Sequence, residues 1–133
     1  MVDRLPQDVT RLIGKHIHGV SQLELLLFLH NQPTREVSVE TVAKEQGMRD
    51  DQASILLEDL TSRGLLVEAD AEDEARYRYE PKSRELARQV DALAEIYPTY
   101  RHAIIQLIYS KPGESVMNFA EAFRLRKDED DDG

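Results

Sequence analysis

The chain has 133 residues, 41% of them apolar, no cysteine and a formal net charge of −9. That length and apolar fraction suit one domain with a packed core, with or without a helical extension, and the lack of cysteine excludes a disulfide framework and a thiolate zinc site. Five of the negative charges lie in the tail Asp128 to Asp132. The remaining body carries about −4, which does not exclude a basic nucleic-acid-binding face.

A first helix is expected over Leu5 to Ile17, with Pro6 in its first turn and Val9, Leu12, Ile13 and Ile17 on one stripe. Ser21 is expected to cap the next helix, with Glu24 completing a capping box. Leu23 and Leu25 to Leu29 make that helix apolar almost all round, so it should be buried on most sides. Pro33 ends it, His30 is expected as a cap at its end, and Glu36-Val37 has room for a minimal strand. Ser38 caps a third helix whose inner face is Val42 and Ala43. Gly47 suits a left-handed turn between two crossed helices, and Met48 drops under it. Asp50 or Asp51 is expected to cap a fourth helix, with Ala53, Leu56, Leu57 and Leu60 buried and Gly64 ending it. Leu65 to Val67 reads as a strand, Asp70 to Ala75 as a polar turn, and Arg76 to Tyr79 as the returning strand, stopped by Pro81.

Ser83 is expected to cap a long helix reaching about Ser110. Leu86, Val90, Leu93, Tyr97, Tyr100, Ile104 and Leu107 alternate spacings of four and three without a phase break. Pro98 should kink this helix by clashing with the carbonyl of Ala94. Lys111 to Glu114 reads as a turn, and Ser115 as the cap of a short helix with Phe119 and Phe123 on one face. The acidic tail is expected to lack order. Three segments follow: 1–81, a helix-rich domain with a β-hairpin; 82–127, a helical extension for dimerisation or docking; and 128–133, the tail.

The order helix, tight turn, helix, strand, turn, strand over Ser38 to Tyr79 resembles the winged helix-turn-helix regulators of prokaryotes, most closely in the MarR-type layout. Val42, Ala43, Gly47, Met48, Ala53 and Leu56 carry the resemblance, together with Arg63-Gly64-Leu65-Leu66-Val67 closing a helix into a wing. Its C-terminal part is similar, more loosely, to small uncharacterised bacterial winged-helix proteins. The resemblance implies a mainly α fold with a small β-wing and a long flanking C-terminal helix. It also implies a DNA-binding transcriptional regulator, dimeric through that helix. In that setting Arg49, Gln52 and Ser54 would meet bases, with Arg63 a further cation of the same helix, and Arg76 and Arg78 would meet phosphates. The dimer or partner interface would draw on Leu86, Val90, Leu93, Tyr97, Tyr100, Ile104 and Leu107, then Phe119 and Phe123.

The charges around these positions point elsewhere as well. Asp50, Asp51, Glu58 and Asp59 share the reading helix, and Asp70, Glu72, Asp73 and Glu74 crowd the wing tip. A second reading therefore stands beside the first: a winged-helix module that binds a protein partner through the acidic wing or the Phe119–Phe123 face. The acidic turn lacks the glycine and the terminal glutamate of a calcium loop. The chain has no phosphate-cradling glycine loop and no cysteine nucleophile, and His16, His18, His30 and His102 have no ligand spacing. No enzyme activity, metal or cofactor is expected. A ligand pocket edged by Tyr97, Tyr100 and His102 is a further expectation. No signal peptide is read at MVDRLPQDV, and Leu25 to Leu29 is too short to span a bilayer, so a cytoplasmic protein without a membrane partner is expected.

Overall fold

A computed structural model describes residues 5–69 and 74–110. Eight elements follow in order: α1 (Gln7–His16), α2 (Val20–His30), β1 (Val37–Ser38), α3 (Val39–Gln46), α4 (Asp50–Ser62), β2 (Leu66–Ala69), β3 (Arg76–Tyr79) and α5 (Arg84–Tyr109). The strands form one antiparallel sheet in the order β1-β3-β2, with Val37 opposite Tyr77 and Leu66 opposite Tyr79. This is the expected mainly α architecture with a small β-wing. Among the described residues no helix is long and apolar enough to cross a membrane.

The apolar helix α2 is the post around which the rest packs. Leu23, Leu25, Leu26 and Leu29 are fully buried, and Leu27 and Phe28 are half-buried. Each fully buried leucine contributes on the order of 2 kcal/mol relative to exposure. The α1 stripe Val9, Leu12, Ile13 and Ile17 is buried with them, as are Val42 and Ala43 of α3 and Ala53, Leu57 and Leu60 of α4. Leu56, expected inside, is only half-buried.

Two glycines set the path of the chain. Gly47 has φ +69°, and beyond it the Met48 amide donates to the Ala43 carbonyl at 2.9 Å. Gly64 has φ +84°, and beyond it the Leu65 amide returns to the Leu60 carbonyl at 3.0 Å. Both are six-to-one closures in which a left-handed residue lets the next amide satisfy an orphan carbonyl. Ser38 and Ser83 cap α3 and α5 through bonds from the Thr41 and Leu86 amides, at 3.2 and 3.1 Å.

Three local expectations fail. Ser21 is not a cap: α2 starts at Val20 behind an extended Gly19, with no side-chain cap. The turn before it is satisfied instead by Gln22, whose Oε1 accepts from the His18 amide at 2.6 Å. His30 does not cap α2; its Nε2 meets Asp91 Oδ1 at 2.8 Å, and its ring stands edge-on to Tyr79. Neither Asp50 nor Asp51 caps α4, which begins after an extended Arg49 without a side-chain cap.

Helix α5 bends as Pro98 requires, and the break in helical geometry falls at Tyr100, with φ −112° and ψ 29°. Its first half packs along α1. Leu86, Val90, Leu93 and Ile104 are buried within the chain's own core, so they have no free face for a second copy. Tyr97 and Leu107 are half-buried, and Tyr100 and Tyr109 are exposed. The heptad spacing marked Leu86, Val90, Leu93 and Ile104 as buried, but it also included the exposed Tyr100, and it did not say what buries the others. The turn from Lys111, the helix with Phe119 and Phe123, the tail, and Asp70, Glu72 and Asp73 lie outside the described residues.

Candidate nucleic-acid interface

The crossing of α3 and α4 leaves the first turn of α4 facing outward. Arg49 stands immediately before it with a side chain 82% exposed. Its guanidinium folds back on Asp51, with Nε–Oδ1 at 3.1 Å and Nη2–Oδ2 at 2.6 Å. Asp51 Oδ1 also accepts from the Gln52 amide at 2.8 Å. The guanidinium first, and that amide second, hold the Asp51 carboxyl below its ordinary range. Gln52 is exposed and Ser54 is half-buried, its hydroxyl donating to Glu58 at 3.4 Å. Ile55, 66% exposed, sits in the middle of this face.

Arg63 lies at the other end of α4, turned toward the α1–α2 turn. Its Nε donates to Asp59 Oδ2 at 2.8 Å, Nη1 donates to the Lys15 carbonyl at 3.2 Å, and Nη2 meets Nε2 of His18. Asp59 in turn accepts from Gln22, a side chain only 3% exposed. Gln22, Asp59 and Arg63 thus form a polar clamp fixing the C-terminal end of α4 to the α1–α2 turn. The sequence signal for it was a lone glutamine immediately before the apolar run of α2. A glutamine buried there requires partners for both ends of its amide.

On the wing, Arg76 is exposed and lies 3.6 Å from Glu74. Arg78 is half-buried between Glu36, at 3.3 Å, and Glu80, and the Glu80 carboxylate first of all raises its pKa. Arg35, just before β1, is paired with Glu45 of α3 at 2.9 Å. Every arginine named for this surface therefore holds a carboxylate, and no unbroken basic stripe runs across it among the described residues. The exposed pairs are screened by water and weak, so a phosphate can replace the carboxylate at Arg49 or Arg76.

The expected pocket at Tyr97, Tyr100 and His102 takes another form. A surface cleft of about 300 Å³ is lined by Glu24, Leu27, Phe28, Ala94, Tyr97 and Pro98, but not by Tyr100 or His102. Tyr97 donates to Glu24 at 3.2 Å, and Arg101 reaches the same carboxylate at 3.3 Å. Among the described residues no three His, Cys, Asp or Glu side chains are grouped to hold a metal.

No protein-family model and no curated protein matches the chain. Solved structures do. HlyU from Vibrio cholerae is similar over 66% of this chain and 88% of its own, at 19% identity and a TM-score of 0.52. The homodimeric winged helix-turn-helix DNA-binding domain Mb0332 of Mycobacterium bovis, a possible ArsR-family regulator, matches over 75% and 92%, at 24% identity and a TM-score of 0.50. The haem sensor PefR from Streptococcus agalactiae matches over 92% and 81%, at 14% identity and a TM-score of 0.52. At these identities the likeness establishes the winged helix-turn-helix fold.

Proposed function

We propose that the chain is a cytoplasmic, non-enzymatic transcriptional regulator of MarR-type layout that binds duplex DNA as a homodimer. The supporting observation is the exposed first turn of α4, which presents Arg49 and Gln52 to solvent on the same fold whose wing strand carries Arg76. Arg49 and Gln52 suit guanine and adenine edges, with Ser54 behind them. Arg76 serves a phosphate. Arg78, held by two carboxylates, is a weaker second contact, and Arg63 is spent in its clamp. The similar homodimeric DNA-binding domain of Mycobacterium bovis supports the assembly. The exposed Tyr100 and Tyr109 of α5, with the half-buried Tyr97 and Leu107, supply the interface left once Leu86, Val90, Leu93 and Ile104 are buried.

Fluorescence anisotropy with a mixed-sequence duplex tests this. Two cations per protomer and two protomers release about four counterions, a log–log salt slope near about −3.6. Arg49→Glu with Arg76→Glu should weaken binding and flatten that slope. Absence of saturable binding to any duplex at low salt sinks the proposal. Light scattering should give twice the chain mass, falling to one chain in Tyr100→Glu with Tyr109→Glu; a monomeric parent rejects the dimer.

Ile55 favours a second reading. An isoleucine exposed among Asp51, Gln52 and Glu58 suits a protein partner with an apolar anchor and a basic rim. Ile55→Ser should then abolish complex formation with that partner while leaving duplex affinity unchanged. Loss of duplex affinity instead would place Ile55 at the base edges.

A further inference from the structure

One cleft brings together three of the chain's 17 lysines and arginines. It lies between the C-terminal half of α1 and the start of α5, measures about 560 Å³, and is lined by Arg11, Lys15, His16, Lys82, Ser83 and Glu85 among others. That volume is ordinary for a small-molecule site. Three cations face one carboxylate here, in a chain of net charge −9.

The side chains of Arg11, Lys15 and Lys82 form no ion pair among the described residues. Arg35, Arg49, Arg63, Arg76, Arg78, Arg88 and Arg101 all hold carboxylates. Leaving three cations together and unneutralised costs repulsion that a bound anion would remove. Their placement follows from the fold. Arg11 and Lys15 are four apart on α1 and share a face. The Lys82 amide donates to the Gly64 carbonyl at 2.8 Å, and its aliphatic stem lies across Gly64, where any Cβ would collide with it. The missing Cβ at Gly64 leaves the room that the Lys82 stem occupies. Nδ1 of His16 is buried with no hydrogen-bond partner, a polar group left over at the wall of the cleft. Ser83 opens α5 here, so the positive end of that helix adds to the field.

We propose that this cleft binds a small multivalent oxyanion, a metabolite carrying phosphate or several carboxylates. It is separate from the DNA-reading surface: α4 is 13 residues long, so Arg49 and the cleft end of that helix stand about 20 Å apart by helical rise. The proposal does not rest on DNA binding.

The full-length chain is titrated with inorganic pyrophosphate, and separately with citrate, by calorimetry at low salt. One saturable site per chain is expected for at least one anion, and which of them binds distinguishes phosphate from carboxylate chemistry. Arg11→Gln with Lys15→Gln should weaken it by about tenfold or more. Lys44→Gln, which removes an exposed cation on α3, should leave it unchanged. Lys82→Gln should weaken it as well. Arg11→Gln alone, at an exposed site, keeps the test decisive where the Lys82 change disturbs the chain beside Gly64, and thermal melts establish that each variant is folded. No saturable heat with either anion overturns the proposal. So does equal weakening by Lys44→Gln, which would mean diffuse screening. Loss of duplex affinity in the Arg11 and Lys15 variant, with neither anion bound, would make the cleft a DNA-phosphate contact and also overturn it.

Discussion

Replacing Arg63 by alanine should destabilise the fold and leave the proposed duplex binding untouched. Its guanidinium reaches Asp59, the Lys15 carbonyl and His18, from the end of one helix to the turn between two others. A fully exposed pair four residues apart on a helix would be worth about 0.3–0.5 kcal/mol. Here the two side chains are only 22% and 33% exposed, so water screens the pair less. Charge-assisted hydrogen bonds in such surroundings contribute about 1.5–3 kcal/mol each, but bonds sharing one guanidinium do not add in full. A loss of about 2–3 kcal/mol follows, to which the orphaned Asp59 and Gln22 contribute. At this chain length that corresponds to a Tm lower by roughly 6–10 °C. Chemical denaturation and a thermal melt measure it. A double-mutant cycle with Asp59→Asn should return a coupling of about 1 kcal/mol or more. Arg63→Lys should recover only part of the loss, because an ammonium cannot serve three partners in a fixed fork. An unchanged Tm together with a fall in duplex affinity would refute the reasoning, since Arg63 would then face the ligand rather than the α1–α2 turn.

Gly47→Ala should cost about 1–2 kcal/mol purely through its backbone, because φ is +69° and no atom lies within 4 Å of the added Cβ; a neutral result in urea denaturation contradicts this. Ser38→Ala and Ser83→Ala should each cost about 1 kcal/mol by removing a helix cap, read in the same assay. Stability should also fall in mildly acidic solution. Burial first, then Arg63, Lys15 and Lys82, hold His16 below its ordinary value of 6.5. The unfolded chain therefore binds more protons than the folded one just below that value. The stabilisation is complete above pH 6.5 and is lost as pH falls through the folded-state pKa. His16→Gln should flatten this window. Glu45 and Asp51, held low by Arg35 and Arg49, act only below their ordinary 4.5 and 3.8, so the two effects separate on the pH axis.

What could be read from the residues was what local chemistry decides. Gly47 and Gly64 occupy left-handed positions, Ser38 and Ser83 cap their helices, Arg76 to Tyr79 forms a strand, and Pro98 breaks the run of α5. Each follows from one residue's own backbone or side-chain preference. One failure was decided by near neighbours and the others by partners distant in sequence. Ser21 lost its capping role because Gly19 and Gln22 organise the turn. His30 found Asp91, 61 residues away, and Arg63 found Lys15 and His18 at separations of 48 and 45. The cleft was illegible for the same reason. Arg11, Lys15 and Lys82 form no motif in the chain, and only the packing of α1 along α5 brings them together.

The two charged regions meet through α4. At its first turn the arginine is exposed and neutralised by a neighbour on its own helix, an arrangement that lets a phosphate or base compete for the guanidinium. At its last turn the arginine is half-buried and committed to the fold, and beyond it the Lys82 stem crosses Gly64 at a cleft with three cations and one carboxylate. An anion in that cleft acts on Lys15 and Lys82, residues bonded through their backbones to Arg63 and Gly64. The same side-chain type thus does opposite work at the two ends of one helix, and the difference comes from solvent access. Exposed pairs are weak enough to be exchanged, whereas the clamp gives α4 a fixed end against which its outward turn is held.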